Sequence, residues 1–109
     1  MSASRIERDS EGYIVDPEQW SEDFAHEISQ EEGITLDEKY WSVVRFIRAY
    51  WNDHHIAPDV RHVVKYLGEE YALDKKLAKQ HLFSLFPYGY VKQACKISGM
   101  KRPRVWSTG

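Results

Sequence analysis

Apolar and polar positions alternate along this chain with helical rather than strand spacing over most of its length. Trp20, Phe24 and Ile28 recur at i, i+4 and i+8 among acidic neighbours, the pattern of a helix with one buried face. Asp16 is a cap with Pro17 at the first helical position, and Gly33 ends the segment. Thr35 and Glu38 form a capping-box pattern ahead of Tyr40, Trp41, Val43, Val44, Phe46, Ile47, Tyr50 and Trp51. That is too many apolar positions for a narrow stripe, and it predicts the central, most buried helix. Pro58 and Asp59 open a third helix with Val60, Val63, Val64 and Leu67 on one face and Gly68 near its end. Asp74 caps a fourth through Leu77, Ala78, His81, Leu82 and Leu85, stopped by Pro87, and a fifth is expected from about Gly89 to Ser98, closed by Gly99.

The two ends break this pattern. Ile6 to Val15 places apolar residues on either side of a polar turn ending in Gly12, which predicts a β-hairpin packed on the helices. From Met100 to Gly109 there is no periodicity, a central Pro103 and a basic start, so residues 100–109 are expected to form a flexible arm outside the core. The expected fold is therefore mainly α: an orthogonal bundle of about five helices in one domain, residues 1–109, with a small N-terminal hairpin and a C-terminal arm.

Composition sharpens this picture. With 42% hydrophobic and 14% aromatic residues the chain is too apolar to be disordered, and 109 residues suit a single core. No apolar run reaches membrane-spanning length and residues 1–8 lack the apolar stretch of a signal peptide, so a cytoplasmic location is expected. Charge divides unevenly. Residues 1–52 hold five Lys/Arg against twelve Asp/Glu, whereas residues 53–109 hold ten against five. The basic half favours acidic protein surfaces or nucleic acid as partners, although its excess is small for a dedicated nucleic-acid-binding domain.

The run Leu82-Phe83-Ser84-Leu85-Phe86-Pro87-Tyr88-Gly89-Tyr90-Val91-Lys92-Gln93-Ala94-Cys95-Lys96-Ile97-Ser98-Gly99 resembles the C-terminal signature of the DsrC/TusE family of sulfur-relay proteins. Ile56-Ala57-Pro58 with Arg61, the Trp-rich second helix and Gly12-Tyr13 extend the likeness over nearly the whole chain. The resemblance implies a small helical fold with a mobile arm whose penultimate cysteine receives or presents sulfur, and in DsrC-type members a second cysteine ten residues' gap earlier. Cys95 matches that earlier cysteine, and the same spacing forward lands on Trp106, so the arm has no thiol. Lys101 stands where the family usually has proline, and Tyr90 replaces the proline that commonly follows the Tyr-Gly pair. The implied role is a sulfur-carrier-like accessory, not a stand-alone enzyme, that docks its arm into a sulfite-reductase-like or sulfurtransferase partner, with Cys95 as the one persulfide site available.

Cys95 has Lys92 and Lys96 nearby to favour its thiolate, while a position near a helix C-terminus works against it by a few tenths to about 1 kcal/mol. The alternative is a buried cysteine packing with Val91 and Ile97 as a small hydrophobe. Lys92, Lys96, Lys101, Arg102 and Arg104, with Trp106 as an aromatic anchor, form the candidate partner-binding set. His54, His55 and His62 are not spaced for a tetrahedral site, so neither a metal nor a cofactor is expected. Glu69-Glu70 and Asp37-Glu38 are adjacent carboxylates whose side chains diverge, and they read as solvated charges. A rival reading is a DNA-binding regulator. Residues 58–86 outline a helix-turn-helix with Lys75, Lys76 and Lys79 opening its second helix, though the connection from Gly68 to Leu73 is long for that motif.

Overall fold

The computed structural model of the chain describes residues 6–102. Helices α1 (Glu22–Glu31), α2 (Glu38–His54), α3 (Val60–Glu70) and α4 (Lys75–Leu85) follow a short 3-10 turn, Pro17–Gln19, and lead into a π-helical segment, Tyr90–Cys95. The expectation of a mainly helical chain holds. Among the described residues no helix is long and apolar enough to cross a membrane.

The hairpin is a correction. No strand occurs among the described residues, and a single antiparallel bridge pairs Arg8 with Ile14. Its cause lies in Asp9, whose carboxylate accepts from the backbone N–H groups of Glu11 and Tyr13, both at 2.9 Å. Side-chain capture of backbone donors favours a compact turn over an extending ladder. Arg8 ties this turn to α1 through two hydrogen bonds to Glu31, at 2.9 and 2.7 Å.

Two helix starts also differ from expectation. Asp16 does cap, accepting from Glu18 N–H at 3.0 Å, but it caps the 3-10 turn. Trp20 then turns extended and Ser21 caps α1 afresh, accepting from Phe24 N–H at 3.2 Å. Trp20 is thereby released from the helix, and its indole donates to the Ile97 carbonyl at 2.9 Å. At α2 the cap is Asp37, accepting from Lys39 N–H at 3.0 Å, and Glu38 pairs with Arg45 instead of closing a capping box with Thr35. Asp59 and Asp74 cap α3 and α4 as the sequence predicts.

The most buried stretch is not α2. That helix buries Ser42, Val43, Val44 and Ile47, and its aromatics Tyr40, Trp41, Phe46 and Trp51 are only partly covered. Tyr90, Gln93, Ala94, Cys95, Ile97 and Ser98, in contrast, are wholly enclosed. Gln93 is tolerated there because it is bonded at both ends: its carbonyl accepts from Tyr88 N–H at 3.0 Å and its amide donates to Glu32 at 3.1 Å. Met100, expected to begin the flexible arm, is a core residue with 1% exposure, so the core extends one residue past the Gly99 turn. Lys101 and Arg102 are exposed, and the rest of the arm lies outside the described residues.

Candidate functional site

Gly89, with φ of 107°, turns the chain after α4 into a backbone region that suits glycine. The π register that follows carries Cys95 into the interior, where the thiol is fully buried. Such π turns arise when one extra residue is fitted into a helical turn, and they are frequent at functional sites. Burial pushes the Cys95 thiol up to about 12, while its hydrogen bond with Tyr90 pulls the other way. Burial likewise raises Tyr90, whose hydroxyl donates to the Pro58 carbonyl at 2.5 Å and so joins the π segment to the start of α3. Tyr13 approaches from the N-terminal turn, donating from its hydroxyl to the Val91 carbonyl at 3.1 Å, and burial raises it to about 12.

The flanking lysines do not activate the thiol. Lys96 lies over the Tyr13 ring, 5.0 Å from its centroid, and 4.0 Å from a Glu32 carboxylate oxygen. Lys92 is exposed on the outer side of the segment. The two lysines share a shallow pocket with Glu11, Tyr13, Glu32 and Tyr88. Arg102 reaches Glu11 at 3.1 Å, so the root of the arm meets the same surface. On its other side the root borders a cleft of about 640 Å³, with Lys101 and Arg102 beside Met100, Trp51 and the exposed Ile56. The structure thus brings Lys92, Lys96 and Arg102 around Glu11 and Tyr13, places Lys101 on the cleft, and leaves Arg104 and Trp106 outside the described residues.

Lys75, Lys76 and Lys79 sit exposed on the first turns of α4, away from this set. The connection before them is shorter than expected, Tyr71 to Asp74, because α3 continues through Gly68 to Glu70. The histidines engage aromatic rings: Tyr50 packs against His54 at 4.3 Å and His62 at 5.2 Å, and His55 meets Trp51. No group of three or more potential metal ligands occurs among the described residues.

One important residue escaped the sequence reading. Arg48 is half-buried with its guanidinium 4.8 Å from the Trp20 ring centroid and 5.2 Å from that of Trp51, and burial lowers its pKa. It donates to the Ser98 and Gly99 carbonyls, each at 3.3 Å, and so holds the turn from which the arm departs. A signal existed: Arg48 follows Ile47 and lies four after Val44 and three before Trp51, a cation set within an inward helical stripe.

Comparison with known proteins gives a consistent picture. The family model described as "DsrC like protein" matches residues 1–105. The chain is 40% identical over 103 residues to sulfurtransferase TusE of Sodalis glossinidius, covering 94% of each chain. The same figures hold for sulfurtransferase TusE of Escherichia coli K12. Its fold is similar to the oxidized γ-subunit of dissimilatory sulfite reductase, DsrC, from Archaeoglobus fulgidus, with a TM-score of 0.81 and 32% identity over 94% of this chain and 92% of that one.

Proposed function

Because the chain belongs to the DsrC/TusE family of sulfur-relay proteins, we propose that it serves a relay as a single-domain accessory docking through its arm and the arm's root. The partner is a sulfite-reductase-like or sulfurtransferase protein, and any sulfur the chain carries rides on Cys95. The observation that carries this reading is the contrast between a sole thiol buried in the π segment and a basic surface that Lys92, Lys96, Lys101 and Arg102 present around it. A buried, protonated thiol is a poor nucleophile, since the thiolate is the reacting species. The resting chain therefore binds without carrying, and Cys95 takes up sulfur only when the π segment opens. Arg104 and Trp106 complete the docking set as charge and anchor.

Incubation with inorganic polysulfide followed by intact-mass analysis tests the sulfur half of this reading. The native chain is expected to gain no sulfur under conditions in which the denaturant-unfolded chain gains one atom, and Cys95→Ser gains none in either state. Rapid stoichiometric uptake by the native chain would make it a resting-state carrier instead. The docking half is tested by titrating the chain against a dissimilatory sulfite reductase lacking its γ-subunit and against a sulfurtransferase assembly lacking its TusE. One of these is expected to bind, and the Lys101→Glu/Arg102→Glu variant to bind more weakly. Failure of both titrations removes the reading.

A further inference from the structure

We propose that the groove between α3 and α4 is a second docking surface, built for an acidic amphipathic segment of a partner protein. The groove encloses about 620 Å³. Val60, Val64 and Leu73 form its floor, and Gly68 keeps it open: a β-carbon there would come within 2.9 Å of the Leu73 carbonyl oxygen.

Its rim supplies the charge argument. Lys65 stands on the α3 side and Lys75 and Lys79 on the α4 side, so cations border the apolar floor along both walls. Lys75 and Lys79 are four apart and share one helical face. None of the three has an ion-pair partner among the described residues. Arg61, a fourth cation on the rim, is already held by Asp59 at 2.8 Å, and Glu69 is the one carboxylate lining the groove. An apolar strip between two rows of unpaired lysines is complementary to a helix or strand with aliphatic anchors flanked by carboxylates.

The same residues argue against duplex DNA. A recognition helix reads a groove from a projecting polar face, whereas these lysines ring a concave apolar floor that a phosphate backbone has nothing to fill. A second copy of the chain, with its acidic N-terminal half, would make a head-to-tail contact that propagates rather than closes. No residue lining this groove lines the pocket at Lys92 and Lys96 or the cleft beside the arm, so occupation here leaves the arm's root accessible.

The probe is a synthetic peptide of about 15 residues, long enough to form a helix on binding, with Leu at i, i+3, i+4 and i+7 and Glu on both flanks. It is titrated into the full isotope-labelled chain at low and physiological salt. Saturable amide shifts are expected at Val60, Val64, Gly68 and Leu73, with affinity falling about tenfold in Lys65→Glu/Lys75→Glu/Lys79→Glu and for a peptide with Gln in place of Glu. These lysines are exposed, so circular dichroism of the variant should match the parent. Absence of saturable shifts, shifts centred elsewhere, or equal binding by the charge-reversed variant overturns the proposal. So does a duplex oligonucleotide that binds these residues more tightly than the peptide, or the same shifts appearing as the chain alone is concentrated.

Discussion

Between pH 9 and about 12 the folded chain is expected to lose stability steeply, and the loss should be traceable to Cys95. Burial holds the folded thiol near 12 against 9.0 for the ordinary group, so the folded state binds a proton that the unfolded state releases first. A group raised on folding contributes its full stability below the unfolded value, and that contribution disappears as pH climbs through the folded one. At about 1.4 kcal/mol per unit, the shift corresponds to something on the order of 4 kcal/mol, a large share of a small domain's stability. Tyr13 and Tyr90 are raised in the same direction, burial being the leading cause for both, and a Cys95 thiolate would raise each further. Urea denaturation followed by circular dichroism from pH 8 to 11 measures the slope. Cys95→Ala should be less stable at neutral pH yet flatter with pH, and equal slopes in the two proteins would refute the assignment. The same burial should make alkylation of Cys95 in the native chain up to about a thousandfold slower than in the unfolded one.

Gly99→Ala is expected to destabilise the chain by about 3 kcal/mol, lowering the melting temperature by roughly 10 to 20 °C. Two terms add. Gly99 has φ of 76°, a conformation costing an alanine about 1 kcal/mol. A β-carbon there would also lie closer than 3.0 Å to three atoms of Trp20, a ring already fixed by its bond to the Ile97 carbonyl and by Arg48 on its face. Gly33→Ala separates the terms, because Gly33 has φ of 72° but nothing within 4 Å of an added β-carbon. It should show the backbone cost alone. Equal melting shifts in the two variants would mean that Trp20 moves aside without cost and does not brace the turn.

Helix-spaced stripes and side-chain caps were the legible part of the fold. Asp59 and Asp74 could be read as caps because each stands directly before its helix and its carboxylate can serve nearby N–H groups. The N-terminal turn was misread because alternating apolar residues suit a hairpin, and only the Asp9 contacts show the backbone donors diverted. The deepest segment was underrated for a different reason. A stretch enclosed on all sides shows no amphipathic stripe, and Gln93 and Ser98 made it look more exposed than it is. At the candidate site the sequence revealed which charges lie near Cys95 along the chain. It did not reveal that Lys96 is spent on Tyr13 and Glu32, nor that the thiol itself faces inward.

The extra residue in the Tyr90–Cys95 turn also sets an azimuth. Removing one residue from that turn would return it to ordinary α pitch and swing everything downstream about the helix axis by roughly 100°. Met100 would leave its socket, the carbonyls of Ser98 and Gly99 would turn away from Arg48, and the arm would leave the body on a different bearing. Length in this one turn is therefore under tighter constraint than the identity of most side chains around it, and a single-codon deletion there should be more damaging than a conservative substitution at the same place.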